Sequence, residues 1–267
     1  MRTSTEQGRI VVITGASHGI GAACADAFLA HGDTVYGLCR TAPKDSRVRH
    51  IPVDLTDAKA ASAAVERIVL EAGSIDVLVL NAGIGISGAV EFTALSEAQR
   101  QFDVCYFGAL RVLTPALPAL RSRKGIVLFT SSVAAVTPIP FQAHYSACKA
   151  AINGLVMALR NELRHTGVRV SAILPGDVKT DFTAARKKDE RGADIYPALV
   201  RSVAKMEHDE QTGMAPERIA RKFLSVSLRR HPKPYYSVGI AYQAVCVLVK
   251  LLPARLAGWI LGLMYAK

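Results

Sequence analysis

A chain of 267 residues, half of them hydrophobic and only 21% charged, has enough apolar material for one large core, which excludes a disordered protein. Its net charge of +11 raises nucleic acid, an anionic membrane surface or an anionic cofactor as partners, but the cations are scattered through 47–49, 121–124, 186–188 and 229–233 without the aromatic interleaving of a single-strand binder, so no nucleic-acid partner is expected. The five cysteines (Cys24, Cys39, Cys105, Cys148 and Cys246) are odd in number, widely spaced and set among apolar residues, which argues against a metal site or a disulfide framework and for a reducing cytoplasm.

Residues 1–8 are polar, so no signal peptide is read, and the chain is expected to form a single domain over 1–267. The first strand, 9–14, runs into Thr14-Gly15-Ala16-Ser17-His18-Gly19-Ile20-Gly21 and a helix over 18–31 that stops at Gly32. Glycines between a strand and a helix let backbone N–H groups and a helix N-terminus approach a pyrophosphate. The second strand, 34–40, ends in Cys39-Arg40-Thr41, where an NAD site usually offers a carboxylate to the ribose hydroxyls. With no acid there, Arg40 is read as the partner of a 2′-phosphate, helped by Ser17 or His18, so NADP(H) is the expected cofactor.

A third strand at 48–54 precedes a helix over 57–72 ending at Gly73, and a fourth, 75–81, ends in Asn81-Ala82-Gly83. A long helix over 96–121 leads to a fifth strand, 125–131, just before Ser132. The strands are continuous Val/Ile/Leu runs rather than alternations, as expected of parallel strands covered on both faces. The next helix, 143–166, opens with Tyr145 and Lys149, whose i, i+4 spacing places them on one face. Moving a phenol from a pKa of about 10 toward neutrality needs roughly 4 kcal/mol. An ammonium about 5 Å away supplies on the order of 3 kcal/mol at an effective dielectric near 20. A cationic oxidised nicotinamide and a hydroxyl donor, for which Ser132 is the obvious candidate, supply the remainder. A sixth strand, 168–174, ends in Pro175-Gly176, followed by a charged stretch at 179–194 and helices near 197–206 and 216–228, so 180–230 reads as a substrate lid. The charge-free run at 235–249 is too short to span a membrane and reads as a packed or surface-lying hairpin that opens a helical extension over 239–267.

The glycine turn, Asn81-Ala82-Gly83, Ser132, Tyr145 with Lys149, and Pro175-Gly176 follow one another in an order that resembles the short-chain dehydrogenase/reductase family from about residue 8 to about residue 180. That resemblance implies an α/β Rossmann fold of about seven parallel strands ordered 3-2-1-4-5-6-7, and hydride transfer between nicotinamide and a carbonyl or alcohol carbon. It makes Tyr145 the general acid/base, Lys149 the residue that lowers its pKa and bonds the nicotinamide ribose, and Ser132 the holder of the reacting oxygen. It sets Asp54 and Leu55 near the adenine, Asn81, Ala82 and Gly83 beside the cofactor, and Pro175, Gly176, Val178 and Thr180 around the nicotinamide. One departure stands out: Cys105 occupies a position where the family usually has Asn, which puts its lysine-to-solvent proton relay in doubt. Cys105 and Cys148 are read as packing residues, and His18 and His144 as surface or cofactor-edge residues.

The resemblance also implies a homodimer or homotetramer through the helices at 96–121 and 143–166. Val133, Val136, Ile139, Pro140 and Phe141 with Phe182, Tyr196 and Met206 suggest a pocket for a bulky apolar ketone or alcohol, such as a hydroxysteroid or retinoid. The extension, with Trp259, either shields substrate, makes a peripheral membrane contact or packs as an ordinary helix pair. Two rival readings are a reductase of acyl thioesters, with Arg186, Lys187 and Lys188 receiving a phosphopantetheine arm, and a non-catalytic NADP-binding regulator.

Overall fold

The computed structural model describes residues 8–266; the polar residues 1–7 and Lys267 lie outside the described residues. In chain order the elements are β1 (Ile10–Thr14), α1 (Gly19–Ala30), β2 (Thr34–Cys39), β3 (Arg49–Pro52), α2 (Ala58–Ala72), β4 (Val77–Leu80), β5 (Ile86–Ser87), α3 (Leu95–Phe102), a π-helical turn (Asp103–Phe107), α4 (Gly108–Ser122), β6 (Ile126–Thr130) and α5 (Ala143–Glu162). They continue with β7 (Arg169–Leu174), α6 (Phe182–Ala185), β8 (Lys187–Lys188), α7 (Leu199–Gln211), α8 (Pro216–Ser227), β9 (Tyr235–Ser237), α9 (Ile240–Leu251) and α10 (Ala254–Tyr265).

Seven strands form one parallel sheet in the order β3-β2-β1-β4-β6-β7-β9, the expected Rossmann arrangement. Val11 pairs with Val35 on one side and Val77 on the other, so β1 and β4 straddle the point where the chain reverses its direction of growth, and a crevice opens beyond their carboxyl ends. Every residue of β4 and β6 is buried, which explains their unbroken apolar sequences. One face of the sheet packs its core against α2, α4 and α5, and the other against α1 and α8. Asp57 caps α2 by accepting from the N–H groups of Lys59 and Ala60, and Gly73 ends it in the left-handed region at φ 74°.

Two expectations are corrected. The helix over 96–121 is interrupted by the π-helical turn, whose Asp103 pairs with Arg111, while Arg111 also donates to the carbonyls of Leu55 and Asp103. The run at 235–249 is no hairpin: its first residues are the seventh strand, β9, parallel to β7, and the rest is helix α9. Within the lid, β8 pairs with β5, which fastens residues 187–188 to the loop after β4.

Candidate active site

The glycine turn after β1 is shaped by two positive φ angles, +68° at Gly15 and +53° at Gly19. A Cβ at Gly15 would lie 3.0 Å from the Cα of Ala82, and one at Gly19 would lie 3.2 Å from the side chain of Thr180, so the turn is wedged between the ends of β4 and β7. No side chain caps α1, which leaves its first N–H groups facing the crevice. Gly21 differs from the other sequence-derived site residues, because it is buried and lies off the cavity wall. A Cβ there would sit 2.0 Å from the carbonyl oxygen of Gly15, so its role is to let α1 press against the turn. Ser17 Oγ and His18 Nδ1 are 2.9 Å apart, with His18 exposed.

Arg40 stands exposed at the end of β2 on the cavity wall, beside Thr41 and with no carboxylate on that strand end. Across from it, Asp54 Oδ1 accepts from the N–H and hydroxyl of Thr56 at 2.9 and 2.8 Å. These bonds, with the charges of Arg40 and Arg100 adding to them, hold the carboxyl below its usual range. Leu55 is buried beneath them. Asn81 braces the crevice rather than projecting into it: Nδ2 donates to the carbonyl of Thr14 at 3.2 Å and Oδ1 accepts from Thr130 at 3.0 Å. Thr14 Oγ1 in turn accepts from the N–H groups of Asn81 and Ala82.

Tyr145 and Lys149 rise from the first turns of α5, and Ser132 caps the short helical turn after β6 by accepting from Ala134 N at 3.1 Å. Lys149 is only 5% exposed; its Nζ donates to the carbonyl of Thr130 at 2.8 Å and lies 5.6 Å from the centre of the Tyr145 ring. The pull of Lys149 and Ser132 on the phenol meets an opposing effect of burial that helix spacing does not show. Burial pushes the Tyr145 phenol above its ordinary value, outweighing the opposite pull of Lys149 and Ser132. Phe182 packs against its ring with centroids 5.9 Å apart. Spacing alone supplied the Coulomb attraction but not this loss of hydration. Burial opposes the charge of Lys149, while the neighbouring Tyr145, Cys105 and Cys148 act the other way and leave its pKa raised.

Cys105 does more than pack. It lies buried in the π-helical turn, where its Sγ accepts from Ile84 N at 3.3 Å and from Gln101 Nε2 at 3.1 Å. Its Sγ and the Lys149 Nζ lie 3.4 and 4.0 Å from where a Cβ on Gly83 would be. The neighbouring Cys148 thiol lowers its pKa against the effect of burial, with Lys149 assisting, and Cys105 in turn raises that of Cys148. Sequence reasoning identified the position and missed these bonds, because a thiol's partners depend on the fold around it.

These residues share one cavity of about 850 Å³, which reaches from Gly15, Ser17, His18, Gly19, Ile20 and Arg40 past Asp54, Asn81, Ala82 and Gly83 to Ser132, Tyr145 and Lys149, with Pro175, Gly176, Val178 and Thr180 along one side. Of the expected apolar lining, Val133, Ile139 and Phe182 reach the cavity. Val136, Pro140, Phe141, Tyr196 and Met206 do not. Met206 forms a small separate core with Leu199 and Val203, against which Phe141 and Tyr196 pack, and the Tyr196 hydroxyl donates to Glu91. The missing wall comes from α9, α10 and the link between them, through Leu248, Leu252, Ile260, Leu261 and Met264. Tyr242 was also missed. Its ring fills the space over Gly176, where a Cβ would come within 2.3 Å, and its hydroxyl donates to Asp177 Oδ2 at 2.6 Å. Burial, reinforced by Asp177, raises the Tyr242 phenol to about 12. The lid cations are already matched: Arg186 with Glu210, Lys187 with Glu97 and Lys188 with Glu207, which removes the free charges assigned to a phosphopantetheine arm.

A short chain dehydrogenase family model matches residues 9–191. The chain is 33% identical to a 3-ketodihydrosphingosine reductase of Bacteroides thetaiotaomicron, over 97% of this chain and 99% of that protein. It is 31% identical to an NADPH-dependent 3-dehydrocapnine reductase of Ornithobacterium rhinotracheale, over 93% and 94% of the respective lengths. Among solved structures it resembles a short-chain dehydrogenase of Streptomyces avermitilis, with a TM-score of 0.85 and 27% identity over 96% of this chain and 97% of that one.

Proposed function

The chain belongs to the short-chain dehydrogenase family, and we propose that within it the protein is an NADP(H)-dependent oxidoreductase acting on a ketone or secondary alcohol of a bulky apolar molecule. The observation that carries this reading is the convergence of Ser132, Tyr145 and Lys149 on a cavity whose far end holds the glycine turn and Arg40 and whose other wall is aliphatic.

The residues fit a dinucleotide. The positive-φ turn at Gly15 and Gly19 and the uncapped N-terminus of α1 suit a pyrophosphate, and Arg40 with Ser17 and His18 suits a 2′-phosphate. Asp54 and Leu55 would flank the adenine, Lys149 the ribose, and Pro175, Gly176, Val178 and Thr180 the nicotinamide, with Asn81, Ala82 and Gly83 lining the floor. When bound, the cofactor supplies or accepts the hydride. Ser132 holds the substrate oxygen toward the phenol. In reduction, Tyr145 gives its proton to that oxygen as the carbonyl carbon becomes a carbinol, and the ammonium of Lys149 stabilises the phenolate left behind. A phenol kept protonated by burial is the form this direction requires. Oxidation runs the same proton back, and so needs the phenolate first. Cys105, bonded to Ile84 and Gln101 beneath Gly83, positions the loop beside Lys149.

The reductase names of the Bacteroides and Ornithobacterium relatives, and the NADPH named for the second, support the choice of direction and cofactor. The matched lid cations weigh against an acyl thioester, and an intact Ser132, Tyr145 and Lys149 set weighs against a silent regulator. The test is initial-rate loss of NADPH and NADH absorbance on a panel of 3-ketodihydrosphingosine, a ketosteroid, retinal and acetoacetyl thioester. Turnover with NADPH on the apolar carbonyls is expected. Turnover confined to the thioester would overturn the substrate class, and none on any carbonyl would overturn the activity.

A further inference from the structure

The last two helices are apolar on almost every side yet scarcely covered by the fold. Helix α9 has no buried residue and α10 has only Ala257, while Ile240 is 84%, Leu251 76% and Trp259 62% exposed. Val247 and Leu251 stand one turn apart on one exposed face. Helices of this composition belong in a core, an interface or lipid.

Charge selects among those occupants. No Asp or Glu follows Glu217 in the chain, whereas Lys250 and Arg255 lie on the helices themselves. A shallow depression at the start of α9 is lined by Arg218, Arg221 and Lys222 together with Ile240 and Gln243. None of these three cations pairs with a carboxylate among the described residues. A second copy would set like charges against one another, while an anionic bilayer matches both the cations and the apolar face. Among the described residues no helix is long and apolar enough to cross a membrane, so the pair would lie in the interface, the depth that an exposed tryptophan prefers.

We propose that α9 and α10 seat the protein on the surface of an anionic phospholipid bilayer, with Ile240, Leu251 and Trp259 in the acyl boundary and Arg218, Arg221, Lys222, Lys250 and Arg255 on the headgroups. The same helices wall the cavity at Leu248, Ile260 and Leu261, so an apolar substrate passes from the bilayer to Tyr145 without crossing water. That passage rests on the oxidoreductase reading; the docking does not.

Trp259 is the only tryptophan in the chain, so its emission reports this surface alone. The purified full chain is mixed with vesicles of phosphatidylglycerol and phosphatidylcholine, or of phosphatidylcholine alone, and followed by emission, by quenching with brominated acyl chains and by co-sedimentation. Expected are a blue shift, quenching and co-sedimentation with the anionic vesicles that weaken with salt, and at least about tenfold weaker binding by Val247→Glu/Leu251→Glu. Neither residue lines the cavity, and the variant should keep its NADPH oxidation rate on a water-soluble ketone. An unmoved emission with protein left in the supernatant would overturn the proposal. So would equal binding to both vesicle types, or self-association that the double variant abolishes without any vesicle binding. Vesicle binding without turnover of the soluble ketone would sink the oxidoreductase reading and leave the docking intact.

Discussion

Replacing Lys149 by Met keeps much of the side chain's volume and removes its charge, which isolates what the ammonium does for the phenol. The Nζ lies 5.6 Å from the centre of the Tyr145 ring. At an effective dielectric near 20, a unit charge at that distance is worth about 3 kcal/mol, or roughly two units of pKa. The substitution should therefore move the pH profile of kcat for alcohol oxidation about two units to the alkaline side and lower the rate roughly a hundredfold on the acidic limb. It also leaves the carbonyl of Thr130 without its donor, so some stability is lost. Thermal unfolding of the variant separates that loss from the catalytic effect. The assay is NADPH production from a secondary alcohol between neutral and strongly alkaline pH. A profile that falls in amplitude without moving would refute the electrostatic role of Lys149 and leave it only a structural one.

Other perturbations follow from the same geometry. Tyr145→Phe should abolish turnover while NADPH binding, measured by fluorescence titration, changes little. Arg40→Asp should weaken NADPH binding by about 2 kcal/mol, the scale of a charge-assisted bond to phosphate, and bring NADH to parity; unchanged cofactor preference would show Arg40 to be a bystander. Gly21→Ala should lower the unfolding temperature and cofactor affinity together, by about 1–3 kcal/mol in stability, because its Cβ would lie 2.0 Å from the Gly15 carbonyl oxygen. The raised phenol of Tyr145 sets the pH dependence: the proton needed for ketone reduction is present below its folded-state value and lost above it. Reduction at saturating cofactor should thus hold steady through the neutral range and fall only in alkali, while oxidation rises there.

The middle of the sheet was legible because β4 and β6 are buried along their whole length and spell out uninterrupted apolar runs, and the motifs were legible because each sits at a strand end. The seventh strand was not. Tyr235–Ser237 is a half-buried edge of three residues flanked by Pro234, with too little sequence to show a period. The walls of the cavity divided along similar lines: Val133, Ile139 and Phe182 follow directly on recognisable motifs, whereas Tyr196 and Met206 turn toward a second small core that only the path of the lid reveals. Distances along α5 conveyed how Lys149 meets Tyr145, but the dominant influence on the phenol is burial, contributed by residues far away in sequence such as Phe182. The Cys105 bonds were hidden for the same reason, since the π-helical turn that aims the thiol at Ile84 leaves no mark in the helical pattern.

Isotope transfer tests the hydride mechanism most directly. With NADPH carrying deuterium on the transferring face of its nicotinamide, a reducible apolar ketone should yield a carbinol with a single deuterium on the former carbonyl carbon, and the Tyr145→Phe variant should yield none. Product free of deuterium, or labelled product formed equally well without the phenol, would contradict direct hydride transfer coupled to a proton from Tyr145.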